Sequence, residues 1–471
     1  MNRIKTDICV IGAGSGGLSV AAGAVQMGAS VVLIEGHKMG GDCLNYGCVP
    51  SKALIAAGKQ AHQVFKGGFG VPPVQVTVDF AAAKDHVQSV IETIAPVDSQ
   101  ERFESLGCTV IRDYARFISP TEVQAGDTVI TARRFVIATG SSPLVPPIPG
   151  LDSVPHYTNE TIFDLRERPD HLLIIGGGPI GMEMAQAHRR LGCAVTVIEG
   201  DRAMGKDDPE LAAIVLEKLR GEGIEIAEGA KAERISGSDG SITVETTNGT
   251  FTGTHLLIAV GRKVNLDKLD LTKGNVAHDR AITVGDTLRS TTNKRVFAVG
   301  DCAGGLQFTH VASYHAGIVV RSAVLGLWWS KATSRHIPWA TYTDPELSQV
   351  GLTEAQATEK FGDSLTTVRF PYAENDRAIA EGKTTGLIKV MVAGGRPVGV
   401  GIAGAHAGEL IGMWAMAIAN RQKMTAIANT VLPYPTLAEI NKRAAGTYFT
   451  PKLFDSPKVK TIVRLVQKYL P

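Results

Sequence analysis

Residues 7–36 read DICVIGAGSGGLSVAAGAVQMGASVVLIEG, and residues 171–200 read HLLIIGGGPIGMEMAQAHRRLGCAVTVIEG. Ten of the thirty positions are identical, at a constant offset of 164 residues. Each copy opens with an apolar run, turns through G-x-G-x-x-G, continues with helical composition and ends on an acid after a second apolar run. The glycines are Gly12, Gly14 and Gly17 in the first copy and Gly176, Gly178 and Gly181 in the second; the acids are Glu35 and Glu199. In such a unit the first glycine makes a tight turn and the second lets backbone approach a pyrophosphate. The third lets helix and strand pack closely. The helix N-terminus offers free N–H groups and a partial positive charge to phosphate oxygens. The terminal carboxylate accepts hydrogen bonds from a ribose diol. The duplication predicts an α/β chain with two Rossmann-like dinucleotide-binding domains, one for a flavin dinucleotide and one for a nicotinamide. Glu199 repels a 2′-phosphate and favours NAD(H) over NADP(H), and Arg202 three residues later weakens that preference.

A chain of 471 residues has room for about three domains at roughly 150 residues each. Its 44% hydrophobic and 20% charged residues describe a globular protein. A net charge of +2 implies no broad polyanion-binding surface, so no nucleic-acid partner is expected. The uncharged stretch 8–34 is long enough for a membrane span, but its six glycines break it into strand, turn, helix and strand. Six cysteines do not make a disulfide scaffold, and a cytoplasmic location is expected.

Only Cys43 and Cys48 lie close together, in MGGDCLNYGCVPSKALIAAGKQ at 39–60. Pro50 suits the first turn of a helix, which puts Cys48 at a helix N-terminus where the dipole favours its thiolate. Lys52, one turn on, adds positive charge. This reads as a redox-active disulfide beside the flavin. A zinc site needs two further Cys or His ligands at usable spacing, and none stands out nearby. Two buried, unreactive thiols are the remaining alternative.

GGDCLNYGCVPSK resembles the redox-active motif of the FAD- and NAD(P)-dependent pyridine nucleotide-disulfide oxidoreductases, which include dihydrolipoamide dehydrogenase, glutathione reductase and mercuric reductase. Further matches follow in order: ATGSSP at 138–143, GGGPIGMEMA at 176–185, IAVGRKVN at 258–265, VFAVGDCAG at 296–304 and YTDPELSQVGLTEAQA at 342–357. The resemblance covers nearly the whole chain. It implies an FAD-binding domain whose first part is 1–152, an NAD-binding domain at 153–265, a return to the FAD and central domain at 266–340, and a C-terminal α+β dimerisation domain at 341–471. Gly12, Gly14, Gly17, Glu35, Gly41, Thr139, Gly140 and Asp301 are expected to hold FAD. Gly176, Gly178, Gly181, Glu199 and Gly261 are expected to hold NAD(H). Lys52 is expected near the flavin and paired with Glu183, for which a solvated helix acid is the plainer reading. Cys48 is expected to face the flavin and Cys43 to exchange with substrate; no resident metal is expected. Cys302 reads as a packed small residue.

The implied function is NADH-dependent reduction of a small-molecule disulfide or electrophile through FAD and the Cys43–Cys48 pair, in a homodimer. A mercuric or other soft-metal ion reductase is the alternative, and a low-turnover docking subunit is a reading of another class. The pattern breaks near the C-terminus. Relatives with a catalytic His carry H-P-T-x-x-E, whereas LPYPTLAEINKRAAG at 432–446 puts Tyr434 in the His position and keeps Glu439. A His near pKa ~6.5 accepts and returns a proton at neutral pH, whereas a Tyr near ~10 is mostly a donor. Nothing in the sequence places His310, His315 or His406 as a substitute. Tyr434 and the GDC triplet at 300–302 lean toward mercuric reductase. Against that, the last cysteine is Cys302, so the C-terminal pair that delivers the metal is missing, and no N-terminal metal-binding domain is expected. Residues 451–471 carry five cations against Asp455, with apolar residues at helical spacing. A helix packed on its own domain is expected there, with contact to a membrane surface as the second reading.

Overall fold

The two duplicated stretches fold alike in the computed structural model, which describes residues 2–470. The first is strand Asn2–Ile11, helix Ser15–Gln26 and strand Val31–Ile34; the second is strand His171–Ile175, helix Pro179–Arg190 and strand Ala194–Ile198. In each, the two strands pair in parallel, as a right-handed crossover through a helix requires. Gly12 and Gly176 sit at φ +104° and +115°, where L side chains rarely go. A Cβ on Gly17 would lie 1.8 Å from the Gly12 carbonyl oxygen, and one on Gly181 would lie 2.0 Å from that of Gly176. The glycine spacing is therefore a packing requirement in both copies.

Two compact units divide the chain. The first comprises residues up to Asp201 together with Ile224–Thr333. Its larger sheet runs Thr109–Ile111, Val31–Ile34, Asn2–Ile11, Thr128–Ile137, Glu122–Ala125, Ala115–Ser119, and Val296–Ala298 also joins Thr128–Ile137 in parallel. Strand Val31–Ile34 is buried throughout, and its uninterrupted apolar run is what a two-sided parallel strand needs. A second, four-stranded parallel sheet runs Glu225–Ala227, Ala194–Ile198, His171–Ile175, His255–Ile258. Ser141–Pro143 and Arg262–Val264, where the chain leaves and re-enters the first sheet's neighbourhood, pair antiparallel.

The second unit comprises Arg202–Gly223 and the chain from Ser334 onward. Its five-stranded antiparallel sheet runs Pro338–Thr341, Glu346–Gly351, Arg396–Gly404, Leu387–Ala393, Leu365–Pro371. Helix Ala407–Ala419 buries Trp414 completely, and the indole N–H donates to Asn441 Oδ1 at 2.8 Å. Helix Pro209–Gly221 belongs to this unit. Beside it the buried Lys389 ammonium lies 2.8 Å from Asp208 and 2.7 Å from both Glu210 and Glu354.

The tail departs from expectation. Helix Pro457–Tyr469 forms, with Ser456 accepting a hydrogen bond from the Val459 N–H as N-cap, but it buries none of its residues. Its apolar face meets no core of its own domain. Among the described residues no helix is long and apolar enough to cross a membrane.

Candidate active site

The two glycine turns present matched cradles. Gly14 and Gly178, the residues before each helix, share nearly one conformation, φ −81° and −80° with ψ −177° in both. Neither helix carries an acid in its first turn, so nothing there repels a phosphate. Glu35 accepts from the Ala13 N–H at 2.6 Å and the His37 N–H at 2.7 Å. Glu199 accepts from the Gly177 N–H at 2.6 Å and the Asp201 N–H at 3.0 Å. Backbone thus fixes both carboxylates, and each keeps lone pairs for a ribose diol.

A cavity of about 480 Å³ runs along Gly12, Gly14, Glu35, Gly41, Thr139 and Gly140. A Cβ on Gly41, at φ +60°, would lie 2.7 Å from the Gly14 Cα, so bare backbone lines that wall. The glycine floor, the unopposed helix N-terminus and the anchored carboxylate fit an FAD diphosphate and ribose. Asp301 is held by the Ser141 hydroxyl, and Arg262 donates from Nε to that same hydroxyl at 2.7 Å. Burial pushes the Asp301 carboxyl up, with Ser141 and Arg262 opposing. Arg262 also pairs with Asp42, the acid beside Cys43, at 3.0 Å. Cys302 is fully buried and its thiol is pushed up to about 11, mainly by burial, as an inert packed residue should be.

Helix Cys48–Lys66 starts on Cys48, after Gly47. The Cys48 sulfur lies 3.3 Å from the Thr309 hydroxyl, the first residue of helix Thr309–Ala323. The Cys43 thiol, followed by Thr309 and the charge of Lys52, outweighs desolvation and Asp42 and pulls Cys48 down to about 6. Cys43 moves the other way, raised first by its hydrogen bond to Cys48 and then by burial. Cys48, at the helix start beside Thr309 and Lys52, is the member of the pair whose surroundings favour a thiolate. Lys52 bonds Glu183 Oε2 at 2.9 Å, and Glu183 is only 5% exposed on helix Pro179–Arg190. Glu183 is thus a buried counter-ion and not a solvated helix acid.

A second cavity, of about 360 Å³, reaches Cys43. Leu18, Leu44, Val49 and Phe103 give it apolar walls, and Ser15, Asp98, Arg102 and Thr309 add polar groups.

In the other unit, Tyr434 is 68% exposed and its hydroxyl donates to Asp376 Oδ2 at 2.9 Å. That carboxylate raises the phenol further from neutrality. Glu439 begins helix Glu439–Thr447 but is not the hydroxyl's partner. Thr309 and Asp376 escaped the sequence reading. Thr309 lies 261 residues from Cys48 and Asp376 lies 58 from Tyr434, with no local signal at either. Among the described residues no group of three or more His, Cys, Asp or Glu side chains could hold a metal ion.

Residues 6–316 match the family described as pyridine nucleotide-disulphide oxidoreductase, and residues 337–445 match its dimerisation domain. The mercuric reductase of Lysinibacillus sphaericus is 33% identical over 458 residues, covering 95% of this chain and 83% of that protein. That of Acidithiobacillus ferrooxidans is 34% identical, covering 94% and 83%. The HOCl-induced flavoprotein disulfide reductase RclA of Escherichia coli, solved as a Cu(II) complex, superposes with TM-score 0.84 at 28% identity, over 93% of this chain and 99% of that one. LpdA of Mycobacterium tuberculosis superposes with TM-score 0.85 at 25% identity, over 95% and 99%. With both family domains matched in order and the dinucleotide cradles and cysteine pair in place, the chain belongs to the pyridine nucleotide-disulphide oxidoreductases, FAD-dependent enzymes that exchange electrons between a pyridine nucleotide and a sulfur group.

Proposed function

We propose that this enzyme uses NADH to reduce the Cys43–Cys48 disulfide and then a small disulfide or thiol-reactive electrophile that enters beside Cys43. The cysteine pair at the start of helix Cys48–Lys66, with the Lys52–Glu183 ion pair on that helix and a cavity reaching Cys43, carries the reading. Bound FAD supplies a two-electron relay between the nicotinamide and the sulfur pair. The protein does the rest. Gly12, Gly14, Gly17, Glu35, Gly41, Thr139, Gly140 and Asp301 hold the flavin nucleotide. Gly176, Gly178, Gly181, Glu199 and Gly261 hold the nicotinamide nucleotide. Lys52, held in place by Glu183, sets a positive charge near Cys48. Thr309 holds the Cys48 sulfur in position. With a disulfide acceptor, deprotonated Cys43 attacks one sulfur, breaking the acceptor's S–S bond and releasing one thiolate. Cys48 then attacks Cys43 in the mixed disulfide, releasing the second thiolate and re-forming the Cys43–Cys48 disulfide, and both thiolates leave as thiols on taking up protons. Four segments divide this work: 1–152 and 266–340 for the flavin, 153–265 for the nicotinamide, with Arg202–Gly223 packed instead in the C-terminal unit, and 341–471 for pairing two chains.

Anaerobic NADH should bleach the yellow FAD-loaded protein and free two thiols per chain. Cys48→Ser should abolish thiol release. Release of two thiols by the Cys48→Ser protein would refute the assignment. A screen of NADH oxidation against lipoamide, glutathione disulfide, quinones, mercuric and cupric ions identifies the acceptor. A soft-metal acceptor is the second reading, because the curated relatives are mercuric reductases and thiolates are the ligands such ions take. Only Cys43 and Cys48 would meet the ion, since Cys302 is buried.

A further inference from the structure

Helix Pro457–Tyr469 has two unlike faces, and among the described residues nothing buries its apolar one. At helical spacing Val459, Ile462, Val463, Val466 and Tyr469 fall on one side, and Lys460, Arg464 and Lys468 on the other, with Lys458 at the border. Ile462 is 58% exposed and Tyr469 68%. An apolar face left in water over three turns costs free energy, so something covers it. The charge says what. Residues 456–470 carry four cations and no acid, and without them the chain, at +2 overall, would be net negative. The cations are therefore concentrated where the unpartnered apolar face is.

We propose that this helix lies flat on an anionic lipid surface, with its apolar face among the acyl chains and its cations among phosphate headgroups. A basic amphipathic helix of low mean hydropathy has the chemistry of an in-plane anchor. A second copy of the helix is the poorer occupant, because pairing the apolar faces brings the flanking cations of two copies together. The helix also lies beyond residues 337–445, the part that matches the dimerisation domain. Its placement would bring a flavoprotein reductase to the level of membrane-dissolved acceptors.

The test is flotation of the full-length, FAD-loaded protein with vesicles of equimolar phosphatidylglycerol and phosphatidylcholine, beside vesicles of phosphatidylcholine alone, at physiological salt. The protein should float with the anionic vesicles, and about tenfold less with the neutral ones. Ile462→Glu with Val466→Glu should abolish flotation, as should Lys460→Glu with Arg464→Glu. Both variants should retain FAD and native mass in solution, because the helix supports no core. No flotation, equal flotation on neutral vesicles, or flotation that survives both variants would overturn the proposal. Dissociation of a dimer by Ile462→Glu with Val466→Glu would overturn it too, by making a second copy the occupant.

Discussion

Cys48 depends on a hydroxyl that no local pattern in the sequence marks. The Thr309 hydroxyl lies 3.3 Å from its sulfur, and toward a thiolate it can only donate. A hydrogen bond to a charged group contributes about 1.5–3 kcal/mol, or roughly one to two pH units. The reduced protein should hold the Cys48 thiolate above about pH 6 and lose it below, because its environment lowers the thiol from its ordinary value. Thr309→Ala should move that midpoint up by about one to two pH units. The pH dependence of iodoacetamide alkylation of the reduced protein reads it, and an unmoved midpoint would show that Thr309 holds no charge. The second residue-level prediction concerns Glu199, fixed by two backbone N–H groups in the position of a ribose acceptor. It should make NADH the better donor by at least about tenfold, about 1.4 kcal/mol. Equal kcat/KM for NADPH would contradict it. Cys43, Cys48, Lys52 and Glu183 were legible because helix spacing and motif order place them. Thr309 and Asp376 were not, because their contacts are made by tertiary folding between distant segments.

At the scale of elements, the glycine turns were the most legible feature, since their spacing answers to steric contacts that leave no alternative residue. Segment 202–223 was less legible. The resemblance puts it in the NAD-binding domain 153–265, but its helix Pro209–Gly221 packs in the unit built on the C-terminal sheet. The join is a buried cation. Lys389, on strand Leu387–Ala393, bonds Asp208 just before that helix and Glu354 at the start of helix Glu354–Phe361. Asp208 also caps its own helix, accepting from the Glu210 N–H at 3.1 Å. Removing one partner from a buried ion pair leaves the other charge uncompensated and costs about 3–5 kcal/mol. Lys389→Met should lower the urea midpoint accordingly, toward the smaller figure because Glu210 and Glu354 reach solvent. A midpoint that does not move would show that the acids re-solvate without cost. Such a cluster cannot be read from sequence, because its members come from three segments with no common spacing.

At the scale of the whole molecule, the match to a dimerisation domain implies that two chains pair. We propose that Tyr434 and Glu439 complete the paired chain's site; Tyr434 is exposed on the single chain. Its hydroxyl is committed to Asp376, whose carboxylate holds the phenol protonated well above neutral pH. Such a group donates a hydrogen bond but does not return a proton during turnover, so the Cys43 thiol and a leaving thiolate lack an acid–base partner. General acid–base catalysis contributes about 10²–10⁴-fold. Wild type should therefore turn over lipoamide or glutathione disulfide slowly. Tyr434→His, with Asp376 or Glu439 to orient the ring, should raise that rate by at least about tenfold within that range. Tyr434→Phe should leave the slow rate nearly unchanged. Neither variant should alter the half-reaction with NADH, because the phenol would act after it. Stopped-flow measurement of both half-reactions separates the cases. If wild type already reduces lipoamide as fast as NADH reduces its flavin, no acid–base partner is missing, and Tyr434 is an interface aromatic whose hydroxyl is satisfied by Asp376.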